Sequence, residues 1–373
     1  MASKTTKKAD KAAEVMLSIL DIERKYKTDY AESVNNNTWV SWGIDNDLPK
    51  LYFNCYAKSS TLKATIDSGV KYVLGDDVII GEGAAKWKEV VNRTGMSPRE
   101  FIEKLAFNLL LYNGFAYQVI YNKLGVPVEV YPLDFGRCRT NEAGTKIYYS
   151  KKWGKYQTKY EEYDRWNPKN IDPEKNTQIY YYKSTTLSNI YPLPPYNGAI
   201  NDILTEIECS QYSLNTVANG FSARYIINFP EVGNLTDEQK KGIEDAIKTK
   251  FCGTDNDANF MLWWKDGVGS DYDIKVEKIE SDNTPERYVA IKDSARQNIF
   301  VAMRTTPVLC GLPTATNGFS TNEYRDSYKL YLKSVVEPEQ DIILEAVRKV
   351  WGCEKDDVQI APFNIEFDDI NKN

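Results

Sequence analysis

Apolar positions recur at helical spacing near the start of the chain. Val15, Met16, Ile19, Leu20 and Ile22 form a broad stripe that predicts a helix over 9–26. An Asn-rich polar stretch follows, and then a helix capped by Ser59 or Ser60, running to Leu74 and closed by Gly75. Val78 to Ile80 resume as a short strand. Ser97-Pro98-Arg99-Glu100 combines a cap, a proline at the first helical position and a capping-box glutamate. The helix it opens carries Phe101, Leu105, Leu109 and Tyr112 on one face and stops at Asn113-Gly114. The period then shortens to two. Strands are predicted at 115–121, 126–131, 146–149 and 178–182, with turns at Asn122 to Gly125 and Asn141 to Gly144. Pro192, Pro194 and Pro195 mark a boundary.

Beyond the prolines the pattern is mainly helical. Ile200, Ile203, Leu204, Ile207, Leu214, Val217 and Phe221 keep helical spacing, and at about 1.5 Å per residue this helix reaches roughly 30 Å. A strand at 224–229, a helix begun by Thr236 to Gln239 and a strand at 260–264 come next. Thr284-Pro285 opens a second long helix to about Arg304, with Tyr288, Ile291, Ala295, Ile299 and Met303 on one side. Residues 305–322 contain no charge, and a helical stretch from Glu323 to Trp351 is bent or broken at Pro338.

Composition narrows the chemistry. The chain has 373 residues, 47 Lys and Arg against 53 Asp and Glu, a formal charge of −6 and no histidine. Without histidine, Ser–His–Asp and Cys–His nucleophile pairs, His-ligated zinc and imidazole proton shuttles are excluded. An acidic balance also opposes tight binding to nucleic-acid phosphates. Six scattered cysteines (55, 138, 209, 252, 310, 353) without a Cys-x-x-Cys pair point to reduced core thiols. No apolar run near the start has signal-peptide or membrane-span length, so a soluble protein made in a reducing cytoplasm is expected. There is no phosphate-binding loop, and Gly81-Glu82-Gly83 lacks the third glycine of a dinucleotide site. Paired carboxylates at 45/47, 76/77, 271/273 and 368/369 sit beside turn residues, where Asp is ordinary, so neither a metal nor a cofactor is expected. The 26 Tyr and 8 Trp predict large packed or interface surfaces. The Tyr- and Trp-rich stretch 148–182 reads either as a sugar-stacking platform or as an irregular sheet covering a subunit interface, and alternating charges favour the sheet. Lys4, Lys7, Lys8 and Lys11 read as a solvated tail rather than a nucleic-acid contact.

The most informative arrangement is two long helices bracketing a small α/β insertion, followed by an uncharged loop and another helix. Residues 222–283 carry 8 basic and 13 acidic side chains, whereas 286–304 has Arg287, Lys292, Arg296 and Arg304 against Glu286 and Asp293. This layout resembles the compact portal proteins of tailed bacteriophages. Three stretches carry the resemblance. SPREFIEKLAFNLLLYNG leading into the strands through Tyr149 resembles a portal wing. LTDEQKKGIEDAIKTKFCG with NFMLWWKDG is similar to the helix and strand inserted between the stem helices. ARQNIFVAMRTTPVLCGL followed by NEYRDSYKLYLKSVVEPEQDIILEAV is similar to a stem helix, the Pro-x-Leu-x-Gly start of a tunnel loop, and the next helix.

The resemblance implies an α+β fold divided as follows: an α/β wing over 1–198 with an N-terminal arm at 1–27, stem helices at 199–221 and 284–304, a clip at 222–283, a tunnel loop at 305–322, and a wing-closing helix with a short crown or tail at 323–373. It implies a homo-oligomeric ring, commonly of twelve, at one capsid vertex of the virion, assembled in the host cytoplasm. Its partners would be the terminase motor, the major capsid protein, a head–tail adaptor and double-stranded DNA passing through without sequence preference; no membrane, catalytic centre or cofactor is implied. The channel-lining candidates are Gly311, Thr314, Ala315, Thr316, Asn317, Gly318 and Phe319 in the loop, with stem cations Arg296 and Arg304. Two other readings remain: a different virion component such as an adaptor or baseplate protein, or a glycan hydrolase working through two carboxylates.

Overall fold

The computed structural model describes residues 30–35, 38–154, 158–172, 174–184, 189–218, 224–229, 241–242, 260–264, 275–279, 284–312 and 321–363. The helices expected over 9–26 and from Thr236 lie outside them. The chain divides into two compact units, one made of 1–203 together with 297–373, the other of 204–296.

In the first unit a hairpin of β1 (Glu32–Asn35) and β2 (Trp39–Trp42) precedes α1 (Leu48–Lys58) and α2 (Ser60–Leu74). Ser59 caps α2 as expected, its hydroxyl accepting from the Leu62 amide. Gly75 closes it with φ 63°; a Cβ there would meet the Ala361 carbonyl at 2.1 Å, so only glycine fits. Then come β3 (Val78–Ile80) and α3 (Pro98–Tyr112), whose predicted capping box is formed: Ser97 Oγ accepts from the Glu100 amide while Glu100 accepts from the Ser97 amide. Asn113, at φ 60°, ends α3 in the left-handed region.

Three antiparallel strands follow the helix as one sheet in the order β5–β4–β9, from β4 (Gly114–Tyr121), β5 (Pro127–Leu133) and β9 (Thr177–Lys183). A second sheet, β6 (Cys138–Thr140), β7 (Lys146–Tyr149) and β8 (Glu161–Asp164), is antiparallel throughout. Neither β6 nor β8 stands out in sequence, because Cys-Arg-Thr and Glu-Glu-Tyr-Asp are mostly polar. The unit is finished by α6 (Thr321–Tyr331), α7 (Glu337–Trp351) and β13 (Val358–Ile360), which pairs with β3. Between α6 and α7 the helix widens into a π turn over Leu332–Val336, with the Glu337 amide reaching back five residues to the Leu332 carbonyl. Pro338 lacks an N–H, so the predicted break falls one turn before it.

The second unit holds β10 (Arg224–Phe229), β11 (Phe260–Trp264) and β12 (Lys275–Ile279). β10 is central, parallel to β11 and antiparallel to β12, a strand the sequence pattern does not reveal. Two helices join this unit to the first: α4 (Ile200–Ala218) leads in and α5 (Thr284–Ala302) leads out. Within the second unit Tyr212 of α4 stacks on Tyr288 of α5 at 4.1 Å. Ile291, expected on the packed side of α5, is 49% exposed, because the buried face centres on Ala295, Ile299 and Met303.

Part of the aromatic surplus forms packed surface: ten tyrosines among the described residues are buried inside the fold. Several use the hydroxyl to tie distant backbone: Tyr117 donates to the Ala346 carbonyl (2.8 Å), Tyr196 to Leu111 (2.6 Å) and Tyr191 to Val40 (2.5 Å). Trp87 stacks on Trp351 at 4.9 Å.

Arg139 of β6 is 1% exposed. Its guanidinium donates to Asn46 Oδ1 and to the carbonyls of Asn46, Gly136 and Cys138, beneath the rings of Trp42, Trp153 and Tyr191. Burial draws its pKa down from the ordinary arginine value. Replacement Arg139→Ala orphans those acceptors, so it should cost more than about 3 kcal/mol. A denaturant titration would measure this; a loss below 1 kcal/mol would refute the clamp.

Candidate functional site

The uncharged stretch after α5 begins with a defined stop. The Arg304 amide bonds to the Val301 carbonyl (3.0 Å) and the Thr305 amide to Phe300 (3.1 Å), with Arg304 at φ 54°. These two bonds make a Schellman turn around a left-handed arginine, so α5 ends at Ala302, two residues short of the predicted end. Thr306 and Pro307 then start a short 3₁₀ turn, Pro307–Cys310. Gly311, at φ 80°, terminates it, donating to Pro307 and Val308, and the Leu312 amide also returns to Pro307.

This base is pinned from beneath. Val308 and Leu309 are buried. Tyr72 of α2 donates to the Leu309 carbonyl (3.1 Å), and its oxygen lies 2.8 Å from the Tyr324 hydroxyl of α6. One phenol therefore holds the segment just before the loop and the helix just after it. The Tyr72 ring is packed by Tyr328, Tyr331 and Phe363. Burial pushes the Cys310 thiol up to about 11, partly offset by a hydrogen bond with Ser68. At that value it stays protonated near neutral pH and is no nucleophile.

Of the sequence-derived site residues, Gly311 sits at the end of this turn, while Thr314, Ala315, Thr316, Asn317, Gly318 and Phe319 lie outside the described residues. Arg304 belongs to the first unit and Arg296 to the second. Arg296 lies 3.5 Å from Asp293 on its own helix. Arg304 approaches Glu339 of α7 at 3.9 Å. Glu339 is the residue that sequence reasoning missed here. Its side chain is only 14% exposed, and Oε2 has no hydrogen-bond partner. Burial raises its pKa above the usual 4.5 and Arg304 counters the rise. Nothing local signals either Tyr72 or Glu339, since their partners are remote in sequence.

Among the described residues no group of His, Cys, Asp and Glu is arranged to hold a metal ion. None of the five described cysteines is bonded to another, and no described helix is long and apolar enough to cross a membrane.

The family model for the phage portal protein matches residues 90–368. The chain belongs to that family. No curated protein matches the sequence itself. Among solved structures, a chain in the virion of a native gene transfer agent particle is similar at 16% identity and TM-score 0.56, over 85% of this chain and 83% of that one. The same values apply to a chain from the neck of that particle, computed with C12 symmetry. An HK97-family phage portal protein from Corynebacterium diphtheriae matches at 11% identity and TM-score 0.53, over 83% of this portal chain and 94% of that one. At these identities the likeness is one of fold: the α+β portal architecture.

Two measurements probe the loop base. Tyr72→Phe should destabilise the portal by about 1–2 kcal/mol, by leaving the Leu309 carbonyl unpaired, and should speed proteolysis between Leu312 and Thr321. Unchanged cleavage would show that Tyr72 does not restrain the loop. Glu339 has a raised folded pKa, so the stability it contributes is present below about 4.5 and is lost as pH rises through the folded value. Glu339→Gln should therefore raise the melting temperature by a few degrees at pH 7 to 8, with the gain vanishing near pH 4. A gain that grows on acidification would reverse the sign.

Proposed function

We propose that the chain closes with copies of itself into a ring at one capsid vertex, and that the ring is the channel through which double-stranded DNA enters and leaves the particle. The observation that carries this reading is the family match over 90–368, which spans the first unit's two three-stranded sheets, the inserted unit and the closing helices. The neck likeness at C12 symmetry supports a ring of twelve. In such a ring the stem is 199–221 and 284–304, the clip 222–283, the tunnel loop 305–322, the wing 1–198, and the closing helix and tail 323–373. The terminase motor, the major capsid protein and a head–tail adaptor would dock on its outer surfaces. The role is structural, and the chain needs no catalytic group or cofactor for it.

Charge suits the task. Twelve copies at −6 each amount to −72, which discourages the duplex from sticking to the channel wall. Arg296 and Arg304, repeated around the ring, would bias the duplex without arresting it, and both already lean on acidic neighbours. Gly311 and Gly318 would hinge a loop of small polar residues, Thr314, Ala315, Thr316 and Asn317, while Phe319 packs its base.

Negative-stain microscopy of the purified protein should show rings with a central hole, and a strictly monomeric species at every concentration would refute the proposal. Deleting 315–319 should leave rings intact and reduce DNA retention or packaging. Loss of rings on deletion would move the tunnel loop elsewhere.

A further inference from the structure

The turn between β7 and β8 is not among the channel candidates, and three lysines gather on it. Lys151, Lys152 and Lys159 are all exposed. Ser150 fixes where they emerge: its hydroxyl bonds the carbonyls of Lys152 (3.1 Å) and Lys159 (2.7 Å), drawing both arms of the turn to one point. The Gly154 amide donates to Thr158 Oγ1 across the same turn. Three exposed lysines thus flank one hydrogen-bonded point.

They are not neutralised there. The carboxylates of the adjoining β8 are engaged elsewhere: Glu161 accepts from Tyr163 (2.6 Å), Glu162 and Asp164 bind Lys146 (3.1 and 2.6 Å), and Asp164 also binds Lys175 (3.2 Å). Among the described residues none of the three lysines has a carboxylate within ion-pair reach. Like charges held together without counter-charge cost stability. An external anion offsets that cost.

The surroundings select the kind of anion. Trp153 donates its indole N–H to the Arg137 carbonyl (2.8 Å), and its ring contacts Trp39, Tyr160 and the Arg139 guanidinium. Tyr160, though 40% exposed, packs against both Trp153 and Tyr148. These rings are committed to one another, so they offer no platform for unstacked bases. Nor do the described residues of the turn present the buried apolar anchor that a protein partner needs. What remains is point charge, which reads phosphate without regard to sequence.

We propose that the 150–154 and 158–160 turn is a phosphate-contact site for double-stranded DNA, separate from the channel residues. The proposal rests on the turn's own chemistry and does not depend on ring closure. It also gives a role to the Tyr- and Trp-rich stretch: the aromatics are the rigid backing and the lysines are the contact.

The test uses the full chain and a labelled duplex of about 30 base pairs, titrated by fluorescence anisotropy between roughly 50 and 200 mM KCl. Lys151→Gln, Lys152→Gln and Lys159→Gln combined should weaken binding at least about tenfold at the lower salt and make the slope of log affinity against log salt shallower by about 3, since each contact contributes about 0.9. The melting temperature and oligomeric state should not change. Wild-type protein that ignores the duplex, or a triple variant with an unaltered slope, overturns the proposal. So does a loss of binding seen only in Arg296→Gln with Arg304→Gln, which would assign the contact to the channel. A triple variant that keeps duplex binding but loses binding to polyglutamate would mark the turn as a dock for an acidic protein and overturn it too. Microscopy of the same samples scores ring formation separately, so failure of one reading leaves the other testable.

Discussion

The first unit depends on buried tyrosine hydroxyls that bond backbone far away in sequence. Its chain departs along α4 and returns along α5, so its two parts must be joined by contacts made after a long excursion. Tyr117 reaching Ala346 and Tyr72 reaching Leu309 and Tyr324 are such contacts. A phenol is suited to this because its ring supplies apolar area while its tip satisfies a carbonyl that would otherwise be costly to bury. Stacking of Trp87 on Trp351 adds area at the same closure. Tyr117 and Tyr72 thus serve the closure of a discontinuous unit.

Much of the local structure was legible in the sequence because its determinants are local. Ser97 and Glu100 announce a capping box, Asn113-Gly114 a stop, and alternating Phe115 to Tyr121 a strand, and each forms in place. Two short strands were not legible: Cys138–Thr140 and Glu161–Asp164 are mostly polar and exist because neighbours pair with them, whereas the equally short Val78–Ile80 and Lys146–Tyr149 show apolar strand formers. The end of α5 was misjudged for a related reason. Helical spacing extends to Met303, but the Schellman turn that places Arg304 in the left-handed region is a backbone event without a glycine to signal it.

The site was legible only in outline. The absence of charge over 305–322 marked the stretch, and Pro307 with Gly311 bounded its base. The groups that hold the base, Tyr72 and Glu339, come from helices far away in sequence and carry no mark of their own. The aromatics of 148–182 stand out by abundance, but which neighbours they take within the chain, Arg139 and one another among them, is a fact of packing that composition does not report. Net charge likewise reports only a total, and −6 leaves unseen that Lys151, Lys152 and Lys159 are exposed on one turn.

The second unit is one uninterrupted run of chain that begins and ends within two helices, and every described strand of the first unit pairs with described strands of that same unit alone. Residues can therefore be gained or lost in 204–296 without shifting the register of any sheet outside it. That run of chain can be remodelled as a cassette while the sheets that receive it keep their pairing.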